Sequence, residues 1–242
     1  GGQEKYLFEK VAALPDGARI LEIGSNYGRS SVAMAFACVG TQKRITCIDT
    51  FVGMTNGGTK SRGCSFRDIW EANVGQFGLR QYLEPLPGYS TERLVSLDPD
   101  EKFDFVFIDA SHHFEHVLED LRLVYPLVKD GGWISFHDVT PSWPGPWRVW
   151  RETGRYLLSE HEYCASISCG RKDATVPYLA NPENMAFSYS VEWIDEISTR
   201  SDAVGKLLSY YREAILTAEH ELVMQCEKSF LRIADYLHAD LV

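Results

Sequence analysis

Residues 103–138 read FDFVFIDASHHFEHVLEDLRLVYPLVKDGGWISFHD. Phe103-Asp-Phe-Val-Phe-Ile108 has the length and the aromatic and β-branched content of a strand, and it stops at Asp109. In the next segment Val117, Leu118, Leu121 and Val124 fall on one helical face, with Glu119, Asp120 and Arg122 opposite. Gly131-Gly132 closes that unit, and Trp133-Ile-Ser-Phe136 reads as another strand that stops at His137-Asp138. A strand, a helix and a second apolar strand in this order describe a βαβ unit, whose strands lie parallel and are covered by helices.

The same alternation continues upstream. Ala18-Arg-Ile-Leu-Glu-Ile23 predicts a strand ending in a turn at Gly24, Ser30–Val39 predicts a helix rich in small residues, and Arg44-Ile-Thr-Cys-Ile48 predicts a strand that stops at Asp49. The expectation is an α/β fold, a Rossmann-like doubly wound and mostly parallel sheet. Residues 1–190 are assigned to this domain. Residues 191–242, which carry Val204, Leu207, Leu208 and Tyr211 and then Ile215, Leu222 and Val223, are read as a C-terminal helical extension packed on the core or on a second subunit. Two other segments interrupt the alternation, the Gly-rich Gly53–Gly63 and the proline- and tryptophan-rich loop Pro141–Trp147.

Composition bounds the function. Over 242 residues, 24 Lys+Arg face 34 Asp+Glu, a formal charge of −10, so no diffuse basic footprint for nucleic acid exists. No apolar run reaches the length of a membrane span. The six cysteines, at 38, 47, 64, 164, 169 and 226, form no C-x-x-C pair and sit partly in apolar runs, which suits reduced thiols of a cytoplasmic protein.

In an open parallel sheet, ligands bind beyond the carboxyl ends of the strands. Four strand ends here carry polar or flexible groups: Glu22/Gly24, Asp49, Asp109 and His137-Asp138. Gly24 and Gly28 permit a tight strand-to-helix turn, but Asn26 replaces the second glycine of the dinucleotide fingerprint. Asp49, 25 positions after Gly24, stands where a carboxylate can take both hydroxyls of a ribose. His112, His113, His116 and His137 cluster with Asp109 and Asp138, and His112 and His116 are spaced to share a helical face. An imidazole there, His112 or His137, suits proton removal from an acceptor hydroxyl.

The strings ILEIGSNYGRSS, CIDTF and the long block of residues 103–138 resemble the successive motifs of class I S-adenosylmethionine-dependent methyltransferases, in the branch that methylates hydroxyls of small molecules. The resemblance covers about Ile20 to Asp138. It implies a cofactor, S-adenosylmethionine, lined by Glu22, Gly24, Ser25, Asn26, Gly28, Ser30 and Asp109, with Asp49 on the ribose and Tyr89 and Ser90 at the adenine. It also implies a divalent metal, Mg²⁺ or Mn²⁺, on Asp109, His137 and Asp138, although a hard cation prefers oxygen to imidazole. Catalysis would then fall to His112, His137 and Asp109. A small-molecule substrate and a homo-oligomer are expected, with Trp143 and Trp147 as a pocket wall and Gly53–Gly63 as a lid. The rival readings are a nicotinamide-dependent oxidoreductase, disfavoured by Asn26, and a catalytically silent nucleoside-binding subunit.

Overall fold

The computed structural model describes residues 2–52 and 65–173. Among these, strands β1 (Arg19–Ile23), β2 (Arg44–Asp49), β3 (Leu83–Pro87), β4 (Phe103–Ile108), β5 (Val128–Phe136), β6 (Leu158–Cys164) and β7 (Ile167–Lys172) form one sheet in the order β3-β2-β1-β4-β5-β7-β6. The pairs from β3 through β5 are parallel, and β7 is antiparallel to both β5 and β6. Strand order reverses between β1 and β4, as the doubly wound expectation requires.

Helices α1 (Gly2–Ala12), α2 (Arg29–Phe36), α3 (Phe66–Gly75), α4 (Ser90–Ser96), α5 (Phe114–Val124) and α6 (Pro144–Val149) accompany the sheet. Two apolar cores lie on its two faces. Leu21, Ile23, Val106 and Ile108 pack with Leu94, Val117, Leu121 and Val124 of α4 and α5. Ile20, Ile45, Phe105 and Phe107 pack with Leu7, Met34, Trp70 and Val74 of α1, α2 and α3. Successive strand residues therefore serve opposite layers, which is why β1 and β4 are almost continuously apolar.

The chain's first helix closes on its last described strands. Gln3 Nε2 donates to Ser166 Oγ at 2.6 Å, Lys10 Nζ pairs with Glu162 Oε1 at 2.7 Å, and the Tyr6 hydroxyl donates to Glu162 Oε2 at 3.0 Å. Leu7 and Val11 meet Ile167 and Cys169 in one core.

Four expectations are corrected. Gly131-Gly132 lies inside β5, not at its start, because Gly131 (φ +78°) and a register shift opposite Phe103/Phe105 absorb the glycines as a bulge. The helix predicted over 30–39 ends at Phe36, with the left-handed Gly40 following. The Pro141–Trp147 loop turns into α6 at Pro144, where a proline at the first helical position loses no hydrogen bond. Asp120 faces the core, not solvent, and is 1% exposed. The lid segment, the C-terminal extension, Cys64 and Cys226 lie outside the described residues. Cys38, Cys47, Cys164 and Cys169 are free thiols. Among the described residues no helix is long and apolar enough to cross a membrane.

Candidate active site

Register alone assembles the site. Ile23 pairs with Ile48 and with Ile108, and Ile108 pairs with Phe136, so the next residues, Gly24, Asp49, Asp109 and His137, form one row at the carboxyl edge. Backbone bonds continue one step past the strands: Gly24 N–H to Ile48 O (2.8 Å), Asp109 N–H to Ile23 O (2.8 Å) and His137 N–H to Ile108 O (3.0 Å). On the outer side Gly88 N–H reaches Asp49 O at 2.9 Å, which adds the β3 end to the row.

Gly24 (φ +90°) presses its backbone against the β4 end, where an added Cβ would lie 2.2 Å from the carbonyl oxygen of Asp109. The turn that follows is held by Asp49, whose Oδ2 accepts from Asn26 N–H at 2.8 Å and whose Oδ1 accepts from Phe51 N–H at 2.6 Å. Asn26 (φ +45°) and Phe51 (φ +54°) are both left-handed non-glycine residues, as is Asp138 (φ +55°), so backbone strain gathers at three corners of this edge.

Glu22 stands behind the edge and not on it. It is fully buried and accepts hydrogen bonds from the hydroxyls of Ser25, Ser30 and Ser31, while Trp70 Nε1 donates to Ser31 Oγ at 3.1 Å. Burial pushes its carboxyl above the usual range, and the three serines oppose that shift. Gly28 likewise does not reach the cleft; its left-handed backbone lies beside the Trp70 ring, 3.0 Å from where a Cβ would sit. The sequence reading placed both on the cofactor, and the structure makes them supports of the turn.

On the other side of the switch point, Asp109, His137 and Asp138 bring one ligand atom each to within 4.8 Å of the others. His137 Nδ1 is 3.1 Å from Asp109 Oδ1 and 3.2 Å from Asp138 Oδ2. Neither approach has hydrogen-bond direction, so Nδ1 is a buried nitrogen without a well-aimed partner. Burial alone would lower the His137 imidazolium, but the two carboxylates outweigh it and push the pKa up to about 10. Burial raises Asp109. Asp138 stays well below the ordinary carboxylate value despite burial, because the His112 hydrogen bond and the nearby His137 ring both favour its charge.

His112 precedes α5, whose cap is His113, so it shares no helical face with His116; the predicted pairing fails because the helix starts too late. His116 Nδ1 instead meets Ser111 Oγ at 3.0 Å. His112 stacks on Trp143 (ring centroids 4.0 Å apart, 23° between planes) and its Nε2 lies 2.9 Å from Asp138 Oδ2. Asp138 Oδ1 in turn receives Ser166 Oγ at 3.4 Å. Gly145 of α6 fits against the His112 backbone, where a Cβ would lie 2.1 Å from the His112 carbonyl oxygen.

These groups border one cleft of about 1030 Å³. Gly24, Ser25, Asn26, Ser30, Asp49, Tyr89, Ser90, Asp109, His112, His137 and Asp138 all line it, as does Trp143. Asp120, which the sequence placed on a solvated face, also lines it, and Gln3 and Glu4 of α1 close one side. Burial raises the Asp120 carboxyl from 3.8 to about 7, against the Ser90 hydroxyl, which favours ionisation. A carboxyl raised by folding contributes stability that is complete below about pH 4 and is lost as pH rises through 7. Asp120→Asn is therefore expected to match the parent near pH 4 and to be more stable at pH 8, by as much as about 4 kcal/mol. Urea melts at the two pH values check this; an equal stability difference at both would remove the burial account.

The comparisons with known proteins agree with this geometry. Residues 21–139 match the family model described as a methyltransferase domain. The fold is similar to that of an O-methyltransferase from Bacillus cereus solved with S-adenosylhomocysteine (21% identity, 70% of this chain and 80% of that one, TM-score 0.52). It is also similar to the O-methyltransferase TomG from Streptomyces achromogenes, involved in tomaymycin synthesis and solved with S-adenosylmethionine (20% identity, 71% and 80%, TM-score 0.55). A third similar structure is a TDP-rhamnose 3′-O-methyltransferase of calicheamicin biosynthesis (19% identity, 70% and 76%, TM-score 0.52). A sequence search of curated proteins finds no match. Motif, topology and cleft converge on the methyltransferase domain whose family model residues 21–139 match.

Proposed function

We propose that this cleft transfers the methyl group of S-adenosylmethionine to a hydroxyl of a small molecule. The observation that carries the reading is the single row Gly24, Asp49, Asp109 and His137, which sets a ribose-binding carboxylate on one side of the glycine turn and a histidine–carboxylate group on the other. A cofactor laid along this row would be held at its ribose by Asp49, at its base by Gly88–Ser90 and at its methionine by Gly24 and Asp109. The methyl-transfer end would then lie toward the side of the cleft bordered by His112, His137 and Trp143. The names of the similar structures, which include sugar and secondary-metabolite O-methyltransferases, support oxygen as the acceptor.

His112 is the proposed base. Asp138 is ionised and can only accept, so His112 Nε2 carries the hydrogen and Nδ1 keeps the basic lone pair. The stacked Trp143 fixes the ring plane. His137 is unsuited to that task, since its Nδ1 is turned between the Asp109 and Asp138 carboxylates. The protein's larger contribution is orientation: holding acceptor oxygen and methyl carbon in line supplies up to about 7–11 kcal/mol.

Asp109, His137 and Asp138 fit a divalent cation. One donor atom from each lies within 4.8 Å of the others, and the misdirected Nδ1 is the kind of atom a cation would satisfy. One imidazole among carboxylates favours Mn²⁺ over Mg²⁺. When bound, such an ion would lower the pKa of an acceptor hydroxyl. His112, donating to Asp138, would orient that ligand.

Calorimetry of the metal-stripped protein with S-adenosylmethionine, S-adenosylhomocysteine and NAD⁺, repeated with Mg²⁺ or Mn²⁺, tests the reading. Micromolar binding of the adenosyl ligands and none of NAD⁺ is expected, with Mn²⁺ titrating into the wild type and not into Asp109→Asn. No adenosyl binding in any condition would leave a silent subunit, and NAD⁺ binding alone an oxidoreductase. Light scattering tests the homo-oligomer expected from the sequence.

A further inference from the structure

The corner that follows β5 is held from outside the parallel sheet. Asp138 is a left-handed non-glycine residue (φ +55°), and so is Ala165 (φ +53°), in the turn between β6 and β7. Such backbone persists only where its surroundings over-determine it. Here the two strained residues flank one double contact. Val139 N–H donates to Ser166 O at 2.8 Å, and Ser166 Oγ donates to Asp138 Oδ1 at 3.4 Å. Half-buried Ser166 thus holds both the main chain and the side chain of the corner.

The hydroxyl is oriented in turn. Gln3 Nε2, from the first turn of α1, donates to Ser166 Oγ at 2.6 Å. That turn is kept in place because Tyr6 and Lys10, further along α1, both hold Glu162 of β6. A hydroxyl has one hydrogen and two lone pairs, and a carboxylate only accepts. With the Gln3 hydrogen on one lone pair, the Ser166 hydrogen goes to Asp138. The 3.4 Å bond is long, and the Gln3 hydrogen strengthens it by polarising the hydroxyl.

Aspartate rotates broadly about its last torsion, so a bond to one oxygen does not fix the carboxylate plane; a second bond from the other side does. The second oxygen of Asp138 meets His112 Nε2 at 2.9 Å. Stacking on Trp143 sets the plane of the His112 ring but leaves the ring free to turn within that plane, and the bond to Asp138 removes that freedom.

We propose that Ser166 is a positioning residue for methyl transfer: oriented by Gln3, its hydroxyl fixes the Asp138 carboxylate, which keeps the His112 hydrogen on Nε2 and leaves the Nδ1 lone pair for the acceptor. The inference rests on the reading of His112 as the base and adds the residues that aim it. Ser166 acts through Asp138 and does not itself line the cleft.

Nitrogen-15 NMR of the histidine rings tests this on wild type, Ser166→Ala, Ser166→Thr and Gln3→Leu at about pH 8, where an imidazole is ordinarily neutral. His112→Gln identifies the signal. Wild type is expected to show the His112 ring hydrogen on Nε2, exchanging slowly enough with water to be seen. Its exchange should be at least about 10-fold faster in Ser166→Ala and about 3-fold faster in Gln3→Leu, the range of one hydrogen bond. Ser166→Thr keeps the hydroxyl and should keep the wild-type rate. S-adenosylhomocysteine affinity should stay within about 2-fold of wild type throughout. A role in folding alone would lower the melting temperature of Ser166→Ala and leave the His112 signal as it is, and that outcome overturns the proposal. So does equal loss of the signal in Ser166→Thr, or a cofactor affinity that falls in step with it. If Ser166→Ala does not fold, Gln3→Leu decides, and unchanged exchange there overturns the proposal. A wild type with the His112 hydrogen on Nδ1, or with no ring hydrogen visible, would instead overturn the base assignment beneath it.

Discussion

Gly24→Ala is expected to lose about 4 kcal/mol of stability and all measurable binding of S-adenosylhomocysteine. Two costs combine. The backbone at φ +90° lies where a Cβ is strained by about 1–2 kcal/mol. The second cost is contact: the new carbon would sit 2.2 Å from Asp109 O, 2.5 Å from Asp109 C and 2.6 Å from Ala110 Cα. All three are backbone atoms of the neighbouring strand end, so no side chain can swing aside. Relief requires β1 and β4 to part at the switch point, which breaks the Asp109 N–H to Ile23 O bond and displaces Asp109 itself. Gly40→Ala is the matched control, with φ +75° and nothing within 4 Å of its Cβ. It should cost only the strain, about 1–2 kcal/mol. Urea denaturation of the two variants separates crowding from strain; equal losses would show that contact with β4 contributes nothing.

His112→Ala is expected to lower kcat by about 10²–10⁴-fold while S-adenosylhomocysteine affinity stays within about 2-fold. The ring lies on the methyl-acceptor side of the cleft, bonded to Asp138 and stacked on Trp143, and none of the turn residues that hold the cofactor side depends on it. Added imidazole should restore part of the rate, because the variant leaves a space bordered by Trp143 that a free ring can enter. His137→Ala should behave differently, losing Mn²⁺ binding first. Steady-state kinetics with calorimetry on each variant tells the roles apart. A parallel fall of kcat and cofactor affinity in His112→Ala would assign that residue to binding or folding.

Residues whose places follow from strand ends were legible from sequence. Asp49, Asp109 and His137 each close an apolar run, and parallel pairing brings such ends together whatever the loops do. Glu22 and Asp120 were misread for a shared reason. Glu22 interrupts the apolar run of β1, and Asp120 follows Glu119 in α5, so local pattern could not show that both are buried. The partners that make the burial of Glu22 tolerable are set by the turn and helix that follow β1: Ser25, Ser30 and Ser31 lie three, eight and nine residues away. His112 and His116 looked like a helical pair because spacing carries no information on where a helix begins. Strand β3 hid behind Pro85 and Pro87, tolerated because β3 is an edge strand. The β6–β7 hairpin, with its charged Glu160, Glu162, Arg171 and Lys172, lacked the apolar runs that marked the parallel strands.

The clasp between the first helix and the last hairpin sets an order of events during synthesis. Gln3 and Ser166 are 163 positions apart, and Tyr6 and Lys10 are more than 150 from Glu162. A ribosome adding about 5–20 residues per second therefore releases α1 many seconds before its hairpin partner exists. The parallel strands can pair in the meantime, but Asp138 receives Ser166, and Gln3 comes to rest on it, only when the hairpin arrives. The Asp138 corner of the cleft is thus completed late in synthesis. A nascent chain with its parallel strands paired would still lack these contacts, and a single cut in the hairpin would loosen them in a finished molecule.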